Sequence, residues 1–181
     1  VAAKNFTSDD FAYHVGLVND GKTVQLQVHS HQWGYSVSQD GTTITAKCTA
    51  EHCDLANGNG GSVQIVQPTG LIYDGAEKTA TVNKSQDWQG EAVDASTIVY
   101  TKDGDDTFIG KPKDAGTYTA SITVGGQTAK VKYTIAKKSI SISGATATGR
   151  AYEADKTDVE IRGVAFDGLV PSENLNKGTD Y

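Results

Sequence analysis

The chain contains no methionine, only two cysteines and only three prolines in 181 residues. No apolar run approaches the ~18 residues that cross a bilayer as a helix, so membrane insertion of that kind is not expected. An excess of positive charge is missing too. The net charge is −6, which argues against nucleic acid or an anionic lipid surface as partner. Val1 opens no signal peptide, so the sequence reads as a mature or internal fragment whose start says nothing about export. Catalytic signatures are also absent. There is no Gly-x-Ser-x-Gly elbow, no phosphate loop and no His-Glu-x-x-His. No serine or cysteine is placed beside a recognisable base. Neither catalysis nor a resident cofactor is expected. Two cysteines close in sequence permit a disulfide without establishing an oxidising compartment.

What remains is an all-β signature. Helix-period stretches are hard to find, threonine is abundant, and glycine occurs 20 times. The clearest stretch runs from Asp114 to Ile135. Apolar and polar residues alternate strictly on both sides of Gly125-Gly126, the period-2 pattern of half-buried strands joined by a two-residue turn. Pairing Val124 with Gln127 sets Ile122 opposite Ala129, Ala120 opposite Val131 and Tyr118 opposite Tyr133. All of these fall on one face, with threonines, Ser121 and lysines on the other. One apolar face requires a second layer. Asp114, Gly116 and Tyr118 form the expected corner: in immunoglobulin-type sandwiches a tyrosine here bonds back to nearby backbone. The cysteine of antibody domains would follow two residues later, where this chain has Ala120. Packing, not an inter-sheet disulfide, is therefore expected to hold the core.

Two more hairpins precede it. Asp20-Gly21 turns a ribbon in which Leu17 faces Val24, Val15 faces Leu26 and Tyr13 faces Val28. Asp40-Gly41 turns another, with Val37 facing Ile44, Tyr35 facing Ala46 and Trp33 facing Cys48. Extended outward, that register sets His31 opposite Ala50 and His29 opposite His52. The glycine-rich run from Asn57 to Gly61 reads as a linker. The expected organisation is thus a small hairpin module over 1–61 carrying Cys48 and Cys53, a β-sandwich over 62–136, and a partial second repeat over 137–181. Strands are expected at 63–66, 79–83, 97–101, 107–109, 117–124 and 127–135, with a short one at 71–73. A faint repeat supports the third unit: Tyr73-Asp74-Gly75-Ala76-Glu77-Lys78-Thr79 is matched by Tyr152-Glu153-Ala154-Asp155-Lys156-Thr157. That unit is expected to stop before its closing hairpin and so to expose an edge and an apolar face.

Leu71-Ile72-Tyr73-Asp74-Gly75, then Pro112 to Tyr118, closing in Tyr133-Thr134-Ile135, resembles the bacterial immunoglobulin-like surface repeats of the YDG and MBG type. Ser139 to Tyr181, with Gly144-Ala145-Thr146-Ala147 and Arg150-Ala151-Tyr152, resembles the front half of another. His31-x-Trp33-x-Tyr35 through Cys48 is similar to a small module that precedes such repeats in large surface proteins of Gram-positive gut bacteria. Glu153-Ala154 departs from the Asp-Gly of the pattern. The resemblance implies an immunoglobulin-like β-sandwich in an extracellular, cell-wall-associated stalk or adhesin without known catalysis. It implies neighbouring repeats of the same parent chain as partners, with a glycan or host surface protein as the alternative kind of partner.

Several residues offer chemistry. In an exported chain Cys48 and Cys53 can close a tight disulfide loop beside Trp33, and free thiols are the plain alternative. Alternatively His29, His31, Cys48, His52 and Cys53 converge in the extended register, and all are zinc ligands. Against zinc, Cys-x4-Cys is wide, and adjacent His52 and Cys53 would point opposite ways on a strand. Asp103-Gly104-Asp105-Asp106 lacks the spacing of a calcium loop and reads as a hairpin turn. Trp33 and Tyr35 fall on the core face, which leaves Trp88, in the polar loop 86–95, as the candidate for sugar stacking. Lys78, Lys84 and Lys132 lack an asparagine partner on the last strand for a stalk-type cross-link. Asn5-Phe6-Thr7 and Asn83-Lys84-Ser85 match glycosylation acceptors by chance composition.

Overall fold

A computed structural model describes residues 13–18, 23–28, 31–50, 53, 55–147, 149, 151–152, 154, 159–176 and 179–180. For 13–18, 23–28, 56 and 106 it describes the backbone alone. The protein is built of short antiparallel strands. The first ribbon pairs β1 (Tyr13–Val18) with β2 (Thr23–Val28), with Val15 opposite Leu26 as the alternation requires.

The sandwich follows. Its first sheet holds β3 (Trp33–Val37), β4 (Thr43–Cys48), β5 (Asn59–Val66) and β6 (Thr81–Lys84), in that spatial order. Its second sheet is formed by β7 (Val99–Lys102), β8 (Asp105–Ile109), β9 (Gly116–Val124) and β10 (Gln127–Ile135), ordered β10-β9-β7-β8. The β9–β10 register is the one the alternation dictates, Val124 opposite Gln127 through Tyr118 opposite Tyr133. Gly125 and Gly126 both take positive φ, and the Tyr35 ring lies where a Cβ on Gly125 would stand. The turn therefore needs glycine for its backbone and, at the first position, for its lack of a side chain.

Inward-facing residues of the two sheets meet in one core: Ile44, Val63 and Ile65 from the first, and Tyr100, Tyr118, Ala120, Ile122, Val124, Ala129, Tyr133 and Ile135 from the second. Fully burying one such aliphatic side chain contributes roughly 1.5–3 kcal/mol. The corner forms as the sequence implied, with the Tyr118 hydroxyl donating to the Asp114 carbonyl at 2.9 Å. Ile72 bridges Ala136 in parallel, so the short 71–73 segment runs alongside the end of β10. The order β10-β9-β7-β8 is that of the corner-bearing sheet of an immunoglobulin variable-type sandwich.

The opposite sheet corrects the expected organisation. A boundary near residue 61 falls inside β5, and β4 pairs with β5 through Thr43–Gln64, Ile44–Val63 and Thr45–Ser62. The Trp33–Cys48 hairpin is thus half of the sandwich's first sheet, not a separate module. It also meets the second sheet, where Lys130 N donates to the Gly41 carbonyl at 2.8 Å. The glycine run is not a linker either. Asn57 and Gly58 lie in a 3-10 turn and Asn59 to Gly61 open β5, where Gly60 lies under the Trp33 ring, whose atoms come within 2.2 Å of where a Cβ would be. Glycine is there for close approach, which in a sequence looks the same as glycine for flexibility.

Beyond Ala136 the chain forms a ribbon. β11 (Ser141–Ser143) pairs with β14 (Ala165–Asp167), and β12 (Thr146–Ala147) pairs with β13 (Ile161–Arg162). One register runs through both pairs. Among the described residues this ribbon has no second layer, and Ile140, Ile142, Val159 and Ile161 stay exposed.

Candidate functional site

The buried stripe of β4 reads Ile44, Ala46, Cys48, at the alternate positions that face inward. Cys48 ends the stripe, opposite Trp33. The β3–β4 ladder continues one step outward, through the bond from Thr49 N to the Gln32 carbonyl at 2.7 Å. His31 lies two residues before Trp33, and the two rings stack with centroids 5.1 Å apart. After Cys48 the chain must return to begin β5 at Asn59, opposite Lys47. Cys53 stands in that return, outside any strand and half-buried.

These elements bring three donor groups together. His31 Nδ1 lies 3.5 Å from Cys48 Sγ and 3.7 Å from Cys53 Sγ. One ligand atom from each residue falls within 4.8 Å of the others, and Cys48 is buried. The two sulfurs are not bonded to one another in the structure. Of the five residues the sequence suggested as zinc ligands, His31, Cys48 and Cys53 converge; His29 and His52 lie outside the described residues. The objection that neighbours on a strand point apart does not apply to Cys53, because that residue sits in a loop.

The other candidates are occupied by their own fold. Trp88 is half-buried, packs on the core and meets Tyr35 at 6.3 Å between ring centroids. Its Nε1 donates to the Glu91 carbonyl at 3.2 Å. In the 103–106 turn, both carboxylate oxygens of Asp103 receive Lys132 Nζ at 3.1 Å. Asp105 accepts from Thr107 N in the same hairpin. Lys78 is buried, and its Nζ donates to Asp74 at 2.6 Å. That hydrogen bond, with a second from Ala76 N, holds the Asp74 carboxyl below the usual carboxylate range.

Some interactions carried no sequence signal. Tyr133 OH donates to the Lys78 carbonyl at 2.9 Å, and Ala80 N donates to Tyr100 OH at 3.0 Å. Burial pushes both phenols up from their ordinary value. Glu91 links the polar 86–95 loop to the rest: its amide donates to Tyr35 OH, and its carboxylate accepts from Gly125 N. Where the sandwich meets the following segment there is an open cleft of about 400 Å³, lined by Tyr73, Lys137, Ile140, Leu169, Val170 and Glu173 among others. Tyr73 OH donates to the Glu173 carboxylate across it.

No protein-family model matches this chain, and neither the curated proteins nor the solved structures include a match to it.

Proposed function

We propose that the chain is a non-catalytic structural segment of a bacterial cell-surface or secreted adhesin-like protein, in which β-sandwich units follow one another closely and act as spacers. The observation that carries this reading is the passage from one unit to the next. β10 ends at Ile135, and β11 begins at Ser141. The few residues between leave little freedom to bend, and Val170 is buried beside Gly75 at the sandwich end. The Tyr73–Glu173 hydrogen bond joins the same two units. A contact of this kind limits relative motion, as a spacer requires. The surface setting is supported by the resemblance of Leu71–Gly75 and Pro112–Tyr118 to bacterial surface repeats.

The test is small-angle scattering of the full chain beside a Tyr73→Phe, Glu173→Gln variant, together with a glycan array and a panel of hydrolase substrates. A rigid extended particle that loosens in the variant supports the spacer. Selective glycan binding lost in Trp88→Ala, or turnover of any substrate, would replace it.

A further inference from the structure

We propose that His31, Cys48 and Cys53 bind one thiophilic metal ion, and that zinc is the ion this donor set fits. The inference is independent of the spacer reading, because it rests on three side chains at one end of the first sheet. Zinc takes thiolate sulfur at about 2.3 Å and imidazole nitrogen at about 2.0–2.1 Å, in tetrahedral geometry. Those bond lengths at the tetrahedral angle set nitrogen and sulfur about 3.6 Å apart. The separations in the protein are 3.5 and 3.7 Å. The same ring nitrogen makes both approaches. One imidazole nitrogen has a single in-plane orbital, carrying either a proton or a lone pair, so a directed hydrogen bond serves one sulfur. A cation placed among the three atoms serves both sulfurs at once. A disulfide would join the sulfurs and leave the convergence of the histidine without a role.

The surroundings suit a built site. Cys48 is fixed on β4 and buried, His31 stacks on Trp33 at an interplanar angle of 29°, and Trp33 is seated on Gly60. Ligands whose orientation is set by packing are the ones that hold a metal in place. The three residues fill three of zinc's four positions, and the fourth falls to solvent or to a further ligand. Both thiols give up their protons on binding. Such an ion would tie β3, β4 and the return to β5 at a point where the main core has ended.

The experiment uses the full chain, reduced, stripped with a strong chelator and titrated with Zn(II) and with Co(II). One equivalent of zinc is expected, with a sulfur-to-cobalt charge-transfer absorption and quenching of Trp33 emission on the cobalt form. Cys53→Ser is the deciding variant. Its side chain is half-buried in a loop, and circular dichroism checks that the sheet persists. It should lose part of the charge-transfer intensity, and His31→Ala should lose stoichiometric binding. Failure of the reduced wild-type chain to take up either metal would overturn the proposal. So would cobalt binding that Cys53→Ser leaves unchanged. An intact mass lower by two hydrogens, with no metal uptake after reduction, would assign the pair to a disulfide instead.

Discussion

The sandwich from Trp33 to Ile135 and the ribbon from Ser141 to Asp167 are made from the same alternating pattern, yet they end differently. In the sandwich, Ile122 is 1% exposed. In the ribbon, Ile142 is 60% exposed. Tyr73 is half-buried and bonded through its hydroxyl, while its repeat counterpart Tyr152 is 92% exposed. Alternation is enough to make a strand with an apolar side. Covering that side needs a second sheet, which the sandwich gains from β3 and β4 and the ribbon does not have among the described residues.

The comparison is broken most severely by removing the layer. A fragment starting at residue 62 lacks β3, β4 and the first part of β5, and it should show no cooperative thermal transition, whereas a fragment over 31–136 should melt as one unit. A melt of the shorter fragment like that of the longer one would restore the boundary at 61. Next in size is a matched pair of truncations. Ile122→Ala should cost about 2–5 kcal/mol in denaturant unfolding. Ile142→Ala should stay within about 0.5 kcal/mol, as exposed substitutions do.

Tyr133→Phe sharpens the contrast further. It leaves the Lys78 carbonyl without its donor and should cost about 1 kcal/mol. Burial first, then the neighbouring Tyr100 and Tyr118, raise the Tyr133 phenol. Unfolded tyrosine loses its proton near pH 10 while the buried phenol keeps it, so melting temperature should hold below about pH 10 and fall above it. Tyr133→Phe should flatten that alkaline fall. On the acid side the sign reverses. The carboxyls of Asp40, Asp74 and Asp94 are held below their ordinary value, chiefly by hydrogen bonds from Ser38, Lys78 and Ser96 respectively. Stability should drop as pH falls below about 4. A small effect is expected at Lys132→Ala too, which removes the exposed pair with Asp103 and should cost at most about 1 kcal/mol.

The hairpins were legible in the sequence because their registers are local. Asp40-Gly41 and Gly125-Gly126 fix a turn, and the apolar residues on either side admit one pairing that collects them on a face. Which faces meet is a different question. Nothing in Ile44 or Val63 says that they share a core with Ile122 and Tyr133, so the glycines read as a domain boundary. At the cluster of His31, Cys48 and Cys53, the shared face of His31 and Cys48 followed from register, Trp33 standing opposite Cys48 and His31 two residues before it. Cys53 was expected with them from the outward extension of that register, but it reaches the cluster from a loop, whose path residue type does not fix. Buried hydroxyl partners such as the Lys78 carbonyl for Tyr133 leave no trace in residue type, since every residue carries a carbonyl.

The bond from Lys130 to Gly41 has a consequence for how the protein is made. Synthesis delivers Gly41 long before Lys130, so on the ribosome the first sheet emerges with Ile44, Val63 and Ile65 uncovered until the second sheet follows. A nascent chain stalled inside that interval presents a sticky half-molecule, the form that chaperones would be called upon to shield.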